Sequence, residues 1–167
     1  MTRSLPTIGF LILVLLGLGK AVAADPGRDT IGKLTVRVYF GTDGDPSVTG
    51  DKAVEVPEET ADKLKSQEQL EFAHYRELGH DTKPVYRSYE NWAQPIQGSD
   101  EILCRFEVQK RLEAESIRLD LELWLSRKKV LKSGVLLAVG KPMLVLGPEW
   151  RGGRLIISVE MEPRSAS

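Results

Sequence analysis

Residues 33–40 alternate with period two. Leu34, Val36, Val38 and Phe40 fall on one side, Thr35, Arg37 and Tyr39 on the other. Such alternation, rich in β-branched residues, marks a strand with one buried face. The same period recurs over residues 102–108, where Ile102, Cys104, Phe106 and Val108 oppose Leu103, Arg105 and Glu107. It is clearest over residues 117–125, where Ile117, Leu119, Leu121, Leu123 and Leu125 oppose Arg118, Asp120, Glu122 and Trp124. Residues 126–129 form a polar hairpin turn, 130–139 a returning strand, and 143–146 a short apolar run. After the turn-rich stretch GPEWRGG, residues 154–161 close as a strand with Leu155, Ile157, Val159 and Met161 inward. Residues 85–89 read as a further strand, and 91–99 (NWAQPIQGS) as irregular.

Residues 57–78 follow another period. Pro57 suits a first helical turn, and Glu58 and Glu59 complement a helix N-terminus. At about 100° per residue, Ala61, Leu64, Phe72, Tyr75 and Leu78 share one face. Glu68 falls in the middle of that face, which predicts a break near Ser66 and Gln67 and two short helices. Gly79 is the expected C-cap, and Pro84 bars continuation. Strands joined by short connections pair antiparallel. The expected fold is therefore β-rich α+β: an antiparallel β-sandwich or curved sheet of about 6–7 strands, with one or two short helices in 58–78.

The N-terminus has its own pattern. Arg3 precedes the apolar run IGFLILVLLGL, and Ala21, Val22, Ala23 and Ala24 follow. The run falls short of the roughly 20 residues needed to span a bilayer. A basic start, a short apolar centre and small residues at the end form a secretory signal peptide over 1–24. The alternative is an uncleaved anchor, to which Lys20 lends weight. A single β-rich domain is expected over 25–162, with a frayed tail over 163–167. With no stable membrane span left after cleavage, the expected location is the periplasm or the extracellular space.

Composition narrows the function. The 167 residues carry 24 acidic and 23 basic side chains, a formal net charge of -1. Losing the signal would remove Arg3 and Lys20 and leave a small acidic excess. That balance excludes a nucleic-acid binder driven by phosphate attraction, and argues against a polybasic membrane-surface protein. A lone cysteine, Cys104, cannot form an internal disulfide, so stability must come from packing. Its place on an apolar strand face makes it a core residue rather than a nucleophile paired with His74 or His80.

Those two histidines are six positions apart, off the i, i+4 spacing of a helical metal site, and no metal or other cofactor is expected. The Asp43-Gly44-Asp45 loop, with Asp51 beyond it, lacks the spacing of an EF-hand and reads as turn chemistry. No nucleophile elbow, phosphate loop, dinucleotide fingerprint or HExxH motif occurs. Carboxylates are abundant, and no pair of them stands out.

The aromatics are more informative. Trp124 lies on the polar face of the strongest strand, Tyr39 on the polar face of the first, Trp150 in the last turn and Trp92 in the irregular stretch. A tryptophan on a wet sheet face is a contact for a sugar ring or a protein partner. The alternative is that the 58–78 segment covers that face and makes Trp124 part of a second small core. Arg127, Lys128, Lys129 and Lys132 form a basic patch at the hairpin. Such charges keep a turn solvated and block edge association, or contact an acidic partner.

The stretch GKPMLVLGPEWRGGRLIISVE, preceded by LELWLSRKKVLKSG, resembles a pattern in uncharacterised small exported bacterial proteins. The resemblance covers this hairpin block and implies a secreted β-rich domain. It brings no activity and no binding residues with it. The reading that follows is an exported, non-enzymatic interaction or accessory domain of the cell envelope, with a protein or a glycan as partner. A carbohydrate-binding module using the exposed aromatics is the second reading. A small envelope hydrolase with an unmarked carboxylate pair is the third.

Overall fold

The computed structural model describes residues 30–86, 90–96, 99–113 and 116–163. The expected export signal at 1–24 and residues 164–167 of the tail lie outside the described residues. The alternations, the returning segment and the short apolar run all become strands: β1 (Thr30–Thr42), β5 (Ile102–Glu113), β6 (Ser116–Leu125), β7 (Lys128–Ala138), β8 (Met143–Trp150) and β9 (Gly153–Pro163). Among the described residues there are three more, β2 (Val54–Glu55), β3 (His74–Tyr86) and β4 (Glu90–Pro95), and one helix, α1 (Glu58–Lys65). No helix of the described residues is long and apolar enough to cross a membrane.

Two antiparallel sheets form, in the orders β2-β3-β1-β9-β8 and β4-β5-β6-β7. Apart from the two-residue β2, the strands run as an up-and-down meander. The chain passes from the first sheet to the second after β3 and back after β7, and β9 returns beside β1. This is the expected β-rich fold, an antiparallel sandwich or curved sheet with a short helix, with nine strands among the described residues against the 6–7 expected.

Alternation explains the core. Leu34, Val36, Val38 and Phe40 of β1 meet Leu155, Ile157, Val159 and Met161 of β9 and the inward residues of β5 and β6 in one cluster. Phe40, Phe106, Leu119, Leu121 and Leu123 are fully buried there. Burying each such side chain stabilises the fold by about 1.5–3 kcal/mol. The turns follow local chemistry. Ser126 and Arg127 (φ 45° and 69°) and Arg151 and Gly152 (φ 47° and 79°) make two-residue hairpins whose positive φ values match strand twist.

The outer face of the first sheet is not wet. Tyr39, Tyr75 and Ile156 point there and pack with Val56, Leu64 and Leu70 in a second, smaller cluster. α1 supplies Leu64, the only residue it buries. The break near Ser66 and Gln67 is present: Ser66 ends α1, with its N–H donating to the Asp62 carbonyl, and a short 3-10 turn covers Glu68–Leu70.

The second expected helix is absent, because β3 begins at His74. Tyr75 and Leu78 do not share a helical face. They lie on opposite faces of a strand, Tyr75 in the small cluster and Leu78 in the main core. A spacing of three fits one side of a helix and two sides of a strand equally, and here both sides are covered. Nor is Gly79 a C-cap. The pairing steps from Val38↔Gly79 to Tyr39↔Glu77, leaving Leu78 as the extra residue of a bulge. Residues 91–95, expected to be irregular, pair with β5 as part of β4. Of the strand expected at 85–89, Val85 and Tyr86 belong to β3, and residues 87–89 lie outside the described residues.

Candidate functional site

The aromatic candidates separate. Tyr39 is 5% exposed beneath α1 and offers no contact surface. Burial raises its hydroxyl pKa, with Glu77 adding to the rise. Trp92 belongs to β4 opposite Arg105, but its side chain lies outside the described residues. Trp124 and Trp150 are both half-buried, on different sheets.

Trp124 stands on the outer face of the second sheet, away from the cluster that α1 covers. Its neighbour on that face is Glu122, which is only 3% exposed. Three donors hold this carboxylate. Lys129 Nζ donates to Oε1 at 3.0 Å, Trp124 Nε1 to Oε2 at 3.1 Å, and Arg105 Nη1 lies 3.2 Å from Oε2. Burial disfavours the charge and is the largest single effect. The hydrogen bonds from Lys129, Trp124 and Arg105 together outweigh it and hold the carboxyl below its ordinary pKa.

Lys129 also lies 5.4 Å from the centre of the Trp124 ring, and Arg105 continues to Glu107 at 3.1 Å. The basic patch is therefore divided. Lys129 and Lys132 are ion-paired on this face, the latter with Asp120 at 3.3 Å, while Arg127 and Lys128 stay exposed at the turn.

Trp150 lies at one end of the sandwich. Its ring meets Phe40 edge-on at 5.5 Å, and the Arg151 guanidinium carbon sits 4.4 Å from its centre. Arg151 also donates to the Val48 carbonyl at 2.8 Å and to Glu101 Oε1 at 3.0 Å. One side chain thus joins the β8–β9 hairpin to the loop after β1 and to the segment before β5. Two hollows share Trp150 and Arg151 in their linings. A cleft of about 200 Å³ runs towards Lys52, Leu78 and Asp100. A groove of about 500 Å³ runs towards Asp43, Phe72, Glu149 and Arg154.

Cys104 is fully buried in the main core, and burial pushes its thiol up to about 12, which makes it inert as a nucleophile. His74 and His80 sit at different places on β3. His80 Nδ1 lies 2.6 Å from Glu77 Oε1, which also accepts from Arg37. Asp43 and Asp45 are engaged as turn residues. Asp43 Oδ1 accepts the Ala73 N–H, and Asp45 caps the 3-10 turn through the Ser47 N–H. Among the described residues, no three His, Cys, Asp or Glu side chains gather as a metal-binding group.

Sequence reasoning missed Arg105, Glu122, Arg151 and Phe72. Glu122 shares its strand face with Trp124, two residues on, and that much was visible. Its pairing with Arg105 depends on the β5–β6 register, which no local pattern encodes. Against protein-family models, curated proteins and solved structures, the chain has no match.

Proposed function

We propose that this protein is an exported, non-enzymatic interaction domain of the cell envelope that contacts a protein partner through the outer face of its second sheet, around Trp124. One observation carries the reading: a half-buried tryptophan held by a hydrogen bond to a buried carboxylate, with Lys129 over its ring. Rigid tryptophan and arginine surfaces lose little entropy on binding and dominate protein interfaces. Leu136, 59% exposed and opposite Arg118, is an exposed apolar side chain at the other end of the same face, beyond the Asp120–Lys132 pair. The N-terminal pattern at 1–24 supports export.

The test is crosslinking in intact source cells, followed by affinity capture and mass spectrometry. A single dominant envelope protein is expected. It should be lost with Trp124→Ala and with Leu136→Asp, a variant at an exposed position that leaves the core intact. Recovery of only the monomer, with crosslinking controls working, would overturn the reading. So would a partner retained by both variants.

A further inference from the structure

We propose that the groove between the end of β1 and the β8–β9 hairpin binds a neutral saccharide, at a site separate from the Trp124 face.

The groove has the size of a small-ligand site, at about 500 Å³. Its apolar surface comes from Phe72 and from the part of Trp150 that the Arg151 guanidinium leaves uncovered, and each ring is fixed from behind. Phe72 lies directly over Gly41, where an added Cβ would collide with the ring, and it meets Tyr75 edge-on at 6.3 Å. Trp150 is seated on Phe40, and Phe40 in turn packs against Gly153, where a Cβ would come within 2.5 Å of it. The two walls are tied together. Buried Thr42 donates from its hydroxyl to the Gly152 carbonyl at 3.3 Å and accepts the Gly44 N–H at 3.0 Å. The walls therefore keep their spacing without a ligand, which lowers the entropy lost on binding.

The polar groups at the rim retain hydrogen-bonding capacity. Asp43 uses Oδ1 for the Ala73 N–H, and among the described residues its second oxygen has no partner. Glu149 is 86% exposed. Arg154 is oriented by two N–H bonds to the Gly147 carbonyl, with Nη1 4.0 Å from Glu149.

Charge identifies the ligand class. Two carboxylates, Asp43 and Glu149, face two guanidinium groups, Arg151 and Arg154, so the lining has no net charge. A phosphate or an acidic chain would need a cationic excess. A pyranose presents apolar C–H faces and a rim of hydroxyls that both donate and accept, and aromatic walls with mixed acceptors and donors match that pattern.

The test is a titration of the purified protein with chitotetraose, cellotetraose and maltotetraose, followed by ¹H–¹⁵N NMR and calorimetry. An uncharged tetrapeptide serves as the competitor of another class. At least one saccharide is expected to saturate, shifting the Trp150 indole and the Asp43, Phe72 and Gly152 amides. Asp43→Asn keeps the Ala73 bond, and Glu149→Ala removes only an exposed group. Combined, they should weaken binding about tenfold with the melting temperature unchanged. Failure of all three saccharides to saturate overturns the proposal. Shifts confined to other surfaces, or binding of the peptide instead, do the same. Trp124→Ala should leave the saccharide titration unaltered, so this site and the protein-contact face fail independently.

Discussion

Glu122 lies directly opposite Arg105 across the β5–β6 pair, with 3.2 Å between Oε2 and Nη1, on a sheet face where the carboxylate is almost completely shielded from water. A charge in that position requires its partners. Removing Glu122 leaves Arg105, whose side chain is 20% exposed, and Lys129, 44% exposed, beside a desolvated gap. Glu122→Ala should therefore lose about 2–3 kcal/mol, near the lower end for a broken buried pair, because Lys129 can turn to solvent. Denaturant unfolding of the two proteins measures this. Lys129→Met, which leaves Arg105 and Trp124 on the carboxylate, should lose less.

The same carboxyl sets an acid sensitivity. Its folded pKa lies below the ordinary carboxylate value. Protons are then bound more tightly by the unfolded chain, and stability rises with pH through this range. The contribution is complete above the unfolded-state pKa and falls away as pH drops through the folded one. In melting curves recorded from neutral pH into acid, the wild type should lose its advantage over Glu122→Gln progressively. A constant offset between the two would exclude Glu122 as the source.

Arg151 occupies a left-handed backbone position, φ 47°, that an L-residue adopts at a cost of about 1–2 kcal/mol. Its side chain offsets this through Trp150, Val48 and Glu101. Arg151→Ala loses those contacts and keeps the strain, while Arg151→Gly loses both. The glycine variant should be more stable than the alanine variant by about 1 kcal/mol in chemical denaturation. Equal stabilities would mean the turn relaxes out of the left-handed region.

Cys104 should be silent in the folded protein. With its thiol pushed up to about 12 and its side chain fully buried, alkylation at neutral pH requires unfolding. Labelling by iodoacetamide across a denaturant series should track the global unfolding transition. Rapid labelling of the native protein would place the thiol at an open surface instead.

Periodicity located most of the strands and the antiparallel β-rich class. Five of the strands show a clean two-residue alternation or a short apolar run between turn residues. Those patterns exist because each strand has one face in the main core, as with Leu34, Val36, Val38 and Phe40. Pattern also placed the first helical turn at Glu58 and the break after Lys65, since proline, acidic residues and a misplaced Glu68 act locally.

What the pattern could not reach depended on contacts distant in sequence. The start of β3 was hidden because both of its faces are covered there, Tyr75 by the segment around α1 and Leu78 by the core, so the alternation that marks a half-wet strand is missing over residues 75–79. Tyr39 read as a surface residue because its strand neighbours are polar, and only the packing of Val56, Leu64 and Leu70 over the sheet buries it. The Glu122–Arg105 pair joins residues on two strands, and the walls of the groove come from β1, the segment before β3, and the β8–β9 hairpin. Local chemistry determines which backbone shape each segment prefers. Which side chains then share a water-free space, and so which charges must pair and which rings stay open, is decided when the two sheets close on each other.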